Sequence, residues 1–162
     1  MTRRAFYSFE YVKDNWRASQ VRQMGVIDGN INATSNEWEK VARQTEAAIK
    51  RWIDEQMKGK SVVIVLIGAT TAGRKYIDYE IRTEWGGGKG VLGVHVHNLL
   101  DSNQTSTTKG KNPFAHIGMK NGKKFSEYAN VYDPPFSDSK QAYKYINDNL
   151  ADWIETAIEN RS

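Results

Sequence analysis

The chain has 162 residues, a net charge of +4 from 23 basic and 19 acidic side chains, 39% hydrophobic and 11% aromatic residues, and no cysteine. This length sets one domain over 1–162 with a real core, the aromatic content excludes a disordered chain, and the basic excess is too modest and too scattered for a nucleic-acid stripe. Disulfides, thiolate zinc sites and cysteine nucleophiles are excluded, as is a membrane span, since the longest apolar run is 62–67; without an apolar leader in MTRRAFYSFEY, a cytoplasmic location is expected.

RAFYSFEY (4–11) is aromatic and reads as a first strand. Residues 14–24 place Trp16, Val21 and Met24 at helical spacing. The turn-rich stretch 25–36 has room for one short strand, Val26–Ile27. Ser35 or Asn36 then caps a long helix over 37–57, in which Trp38, Val41, Ile49, Trp52 and Ile53 recur at three- and four-residue steps, with Trp38 and Trp52 assigned to the core. SVVIVLIG (61–68) is a short β-branched run of the kind found in a parallel strand covered on both faces. A helix over 74–85 is stopped by GGGKG (86–90), and VLGVHVH (91–97) is a second buried strand. Residues 98–126 are polar and irregular, with a tip at Thr105–Lys111 expected to be mobile. YANVYD (128–133) is the last strand and 138–159 the closing helix.

Strands alternating with helices predict an α/β, flavodoxin-like three-layer sandwich around a mostly parallel sheet of four or five strands. In the order 2-1-3-4-5 the switch point falls between 4–11 and 61–67. Ligands bind such sheets outside the carboxyl ends of the strands, so Ser8–Tyr11 and Gly68–Lys75 should line the site.

The joint VVIVLIGATTAGRKYIDYEI (62–81) comes close to a phosphate-binding loop, with Gly68 and Gly73 at the right spacing. Arg74, however, stands where the lysine should be, Lys75 is one place late, and Tyr76 replaces the hydroxyl that holds magnesium. A nucleoside triphosphatase is therefore not expected. GGGKG follows a helix and is no dinucleotide fingerprint. The loop still offers free backbone N–H groups at a helix N-terminus to an anion, with Arg74 and Lys75 as added charge or as solvated cations. On the following helix Glu80 falls within about 60° of Tyr76 and Ile77, at the border of the apolar stripe. A carboxylate there is partly desolvated, as functional ones are, although an ordinary salt-bridged glutamate fits the same position. Glu84, a turn further from the mouth, is the weaker candidate.

The spacing aromatic-x-x-x-Glu in YIDYE, Tyr76 to Glu80, resembles the signature of TIR domains, and AFYSFEY is similar to their first strand. The match is closer to the TIR-like proteins of bacterial Thoeris anti-phage defence, the ThsB type. It rests on R-x-F-x-SF-x-Y at Arg4–Tyr11, WRASQVR (16–22), NEWE (36–39), VLIGATTAGRKYIDYEI (65–81), GVHVH (93–97) and KGKNPF (109–114). Position 76 is Tyr where many members have Trp, and no TIR self-assembly loop is recognisable between the first two helices. The resemblance implies cleavage of NAD at the nicotinamide–ribose bond and production of an ADP-ribose-derived, cyclic signal nucleotide that switches on a partner effector. It implies Glu80 as the catalytic residue, a pocket formed by Ser8, Phe9, Ala69, Thr70, Gly73, Arg74 and Tyr76, NAD as substrate with no further cofactor, and a possible homo-oligomer. The competing reading is a catalytically silent TIR-like adaptor. A response regulator fits poorly, because SFEY and LIGA stand where its acidic residues belong.

His95 and His97 share one face of a predicted strand but lack an evident third ligand, so no metal site is expected. His116 reads as a loop residue near the pocket, and Asp14 with Arg17 as a salt bridge on the first helix.

Overall fold

A computed structural model describes residues 3–26 and 40–161. Four strands form the sheet among these residues: β1 (Ala5–Ser8), β2 (Val62–Ile67), β3 (Gly90–His95) and β4 (Val131–Tyr132). They run parallel in the order β1-β2-β3-β4, with Ala5 opposite Val62, Val62 opposite Gly90 and Gly93 opposite Val131. All six residues of β2 are fully buried, which is why its sequence is a continuous β-branched run rather than an alternating one.

Alternate residues feed two separate cores, as the two-residue period of a strand requires. Tyr7, Ile64, Leu66, Leu92 and Val94 pack with α1 (Tyr11–Gln23) and with α4 (Ser139–Glu159), which supplies Ile146, Leu150 and Ile154. Phe6, Val63, Val65, Ile67 and Val91 pack on the other face against α2 (Glu46–Met57) and α3 (Lys75–Gly86) through Ile49, Ile53, Ile77 and Ile81. The result is the three-layer α/β sandwich predicted from the alternation of elements.

Several boundaries differ from the sequence reading. The helix expected over 37–57 is broken. Residues 40–42 are helical, Gln44 N–H closes that turn on the Val41 carbonyl, and Thr45 adopts extended backbone and caps α2 by accepting a hydrogen bond from Ala48 N–H at 3.2 Å. A threonine side chain competes with the backbone for such donors, so it starts a new helix more readily than it continues an old one. Ser35, Asn36 and Trp38 lie outside the described residues, as does Ile27, while Val26 packs against the core without joining the sheet. β1 ends at Ser8, because Glu10 already accepts the first bond of α1, from Asp14 N–H. The last strand keeps only Val131–Tyr132, after a 3₁₀ turn at Phe125–Glu127.

The tip at 105–111 is held down as a strap. Thr107 N–H bonds the His97 carbonyl, Arg17 reaches the Thr105 carbonyl at 3.0 Å, and Lys109 pairs with Asp133 at 2.8 Å. Gly110 lies directly on the Gly68 carbonyl, where a Cβ would come within 2.0 Å of the oxygen. The strap's polar composition fits a loop, and its anchors come from elements distant in sequence.

Candidate active site

A cavity of about 510 Å³ opens beside the carboxyl end of β1. That volume is in the range of small-molecule sites. Phe6, Phe9 and Glu10 form one wall, the start of α1 a second, Arg74, Lys75, Tyr76, Ile77 and Glu80 a third, and Trp52 the last. Two contacts between α2 and α3 fix the Trp52 wall: Lys75 with Glu46 at 2.7 Å, and the Tyr79 hydroxyl with Asp54 at 2.9 Å.

Glu80 is the chemical centre of this cavity. It is only 8% exposed, and its Oε2 has no hydrogen-bond partner among the described residues. Burial pushes its carboxyl up to about 8, with the nearby Glu84 adding to the effect. The Ser8 hydroxyl acts in the opposite sense and favours the charged form, yet it makes no hydrogen bond of ordinary geometry. Burial thus favours the protonated form of Glu80. Glu84, one turn on, is equally buried but pairs with Lys89 at 2.5 Å, and Lys89 also donates to the Met57 carbonyl. That carboxylate has a structural partner, whereas Glu80 pairs with no cation among the described residues.

The structure divides the residues named from sequence. Phe9, Arg74, Tyr76 and Glu80 line the cavity. Ser8 is buried behind the wall, and Ala69 lies under the strap at Gly110. Gly73, at φ +85°, turns the chain into α3 from outside the cavity wall. Thr70 is exposed and hydrogen-bonds Glu10 at the rim. Arg74 and Lys75 are not free cations: Arg74 pairs with Glu10, and Lys75 pairs with Glu46. The N-cap residue of α3, Arg74, makes no side-chain cap, and the first turn of that helix lines the cavity.

Three placements add to the sequence reading. Trp52, assigned to the core, packs against it and also lines the cavity. His116 bonds Asp78 at 3.0 Å on an exposed surface and takes no part in the cavity wall. Glu10, expected at the site only as part of the stretch Ser8–Tyr11, holds the rim through Thr70 and Arg74. The only sequence signal for Glu10 was its place immediately after a strand at the switch point, where a ligand contact is expected. Trp52 gave none, because one aromatic on an amphipathic helix looks the same over a core as over a cavity. His95 and His97 are buried with their rings 5.6 Å apart, edge to face, and no cluster of three metal-ligating side chains occurs among the described residues.

Comparison with known proteins places this geometry. The family profile described as "Thoeris protein ThsB, TIR-like domain" matches residues 6–101, the stretch that carries β1 through β3 and the whole cavity wall. A protein of Bacillus cereus (strain MSX-D12) named "Putative cyclic ADP-D-ribose synthase ThsB1" is 31% identical over 130 residues, which cover 73% of this chain and 64% of that relative. The chain thus spans under two thirds of the length of the curated relative it matches. With more than half of its residues matched by the profile, the chain belongs to the TIR-like domain family of Thoeris ThsB proteins.

Proposed function

We propose that the protein cleaves NAD at the nicotinamide–ribose bond and converts the ADP-ribose part into a cyclic signal nucleotide. One observation carries this reading: a buried carboxyl without a cation partner, Glu80, opens on a cavity of nucleotide size. The name of the Bacillus cereus relative, a cyclic ADP-D-ribose synthase, points to the same chemistry.

The reaction needs little from the protein beyond positioning and charge. Nicotinamide leaves as a neutral molecule from a cationic ring, so no general acid is required. The ribose left behind develops oxocarbenium character, as in glycoside cleavage. An ionised Glu80 stabilises that positive charge and holds the ribose hydroxyls. The cationic ring favours ionisation of Glu80, because an opposite charge lowers a carboxyl's affinity for its proton. Phe9, Tyr76 and Trp52 offer aromatic faces to the two rings of the substrate, and Arg74 with the uncapped N-terminus of α3 faces the diphosphate. Closing the ADP-ribose on itself, rather than admitting water, depends on how dry this largely apolar cavity stays once filled. In this reading the product acts on a separate effector, the protein works in the cytoplasm as a possible homo-oligomer, and NAD is substrate with no additional cofactor.

The test is nicotinamide release from NAD by purified protein beside Glu80→Gln. Release by the wild type and not by the variant is the expected result. Equal release by both would remove Glu80 from the mechanism. Activity in phage-infected cells that survives Glu80→Gln would favour the adaptor reading.

A further inference from the structure

The rim of the cavity already holds an anion, and it belongs to the protein. Glu10 is only 8% exposed although it stands at a mouth. One of its carboxylate oxygens accepts from the Arg74 guanidinium and the other from the Thr70 hydroxyl, which in turn accepts from Lys13 at 3.3 Å. Arg74 is half exposed and immediately precedes the uncapped first turn of α3. Glu10 thereby joins the start of α1 to the loop after β2 across the opening. The donors gathered here, a guanidinium, a hydroxyl, an ammonium and a bare helix N-terminus, form an anion-binding set, and the carboxylate occupies its side-chain members.

We propose that Glu10 is an internal stand-in for the diphosphate of the substrate. In the empty protein it occupies Arg74 and Thr70 at the rim, and an incoming diphosphate displaces it from Arg74. This inference rests on the nucleotide-cleaving reading of the same cavity and adds a selectivity device to it. A diphosphate presents two anionic groups to Arg74 and the helix N-terminus and outcompetes one carboxylate. A nucleoside without phosphate gains nothing from displacing it. The displaced carboxylate stays close to the diphosphate as a like charge, so Glu10 weakens binding while it sharpens selection. As a positioning residue, Glu10 touches Arg74 and Thr70 rather than the reacting atoms.

The experiment is calorimetric titration with ADP-ribose, which carries the diphosphate but no scissile nicotinamide bond, and with adenosine as the phosphate-free control. Wild type, Glu10→Gln and Arg74→Ala are compared, with melting temperatures recorded to establish folding. Glu10→Gln removes the competing charge at constant shape and is expected to bind ADP-ribose about five- to tenfold more tightly, with adenosine unchanged. Arg74→Ala is expected to lose about tenfold for ADP-ribose, again with adenosine unchanged. If Glu10→Gln weakens or leaves unaltered the affinity for ADP-ribose, Glu10 is a brace that preorganises Arg74, and the proposal is overturned. Equal shifts for ADP-ribose and adenosine overturn it as well, as does a lack of ADP-ribose binding by folded wild type and variants. Because no bond is cleaved in this assay, loss of NAD turnover with normal ADP-ribose binding counts against the proposed reaction and leaves the role of Glu10 standing.

Discussion

The carboxyl ends of the strands are treated in two opposite ways. Beside β1 an open cavity exposes a buried carboxyl, Glu80, to whatever enters. Across β2 and β3 the same edge is sealed. The Asp14–Arg17 ion pair, at 3.0 Å and nearly inaccessible, lies beneath the strap and ties it through the Leu99 and Thr105 carbonyls. Gly68 makes room for Asp14, since a Cβ there would stand 2.1 Å from the carboxylate. Both regions bury charge-bearing groups. Asp14 and Glu10 have cation partners and Glu80 has none among the described residues, so burial by itself does not mark the site. Burial moves Asp14 and Glu80 in the same sense, up, and moves the buried His95 down. Glu80 is raised from 4.5 to about 8 by burial, so the folded state holds a proton that the unfolded state has released, and stability falls as pH rises through that window. His95 is lowered from 6.5 to about 4 by burial, so the unfolded state takes up a proton first, and stability falls as pH drops from 6.5 toward 4.

The sharpest way to break this contrast is to strip the sealed side of its cation. Arg17→Leu leaves Asp14 buried and uncompensated and should cost about 3–5 kcal/mol in urea unfolding, with part of the loss recovered by adding Asp14→Asn. On the open side, Glu80→Gln should cut NAD turnover by about 100-fold or more. Its melting temperature should equal or exceed that of the wild type, with the gap widening from pH 5 to pH 8 as the buried charge is avoided. If the ionised carboxylate is the working form, kcat/KM for NAD should rise about tenfold per pH unit below the raised value of about 8 and level off above it, and whatever activity Glu80→Gln retains should not follow that rise. Trp52→Ala should raise KM about five- to thirtyfold, equivalent to about 1–2 kcal/mol, through a lost aromatic wall, and should lower the melting temperature as well because Trp52 also packs against the core. Lys75→Ala should be the mildest, under about twofold in either constant, because its bond to Glu46 is solvent-exposed. A large effect there would mean that Lys75 leaves Glu46 to contact substrate.

The strands and three of the helices were legible from local chemistry. A fully covered strand must be apolar on both faces, and VVIVLI is. An amphipathic helix must repeat its apolar residues every three to four positions, and α4 does so over 21 residues. The break before α2 was not legible, because Thr45 fits a helix by composition and declares itself only by accepting from Ala48 N–H. The contacts that anchor the strap were not legible, because their partners, Arg17, Gly68 and Asp133, lie far away in sequence.

By itself, the sequence determined the α/β alternation and the place of Glu80 one turn below an aromatic. Each follows from short-range periodicity, which is a property of neighbouring residues. Only the tertiary structure decided which charges are paired. It gave Glu84 to Lys89, Lys75 to Glu46 and Arg74 to Glu10, and it left Glu80 without a cation. Ion pairing acts over a few ångströms of space and takes no account of distance along the chain, so the difference between a solvated surface charge and a working one appears only after folding.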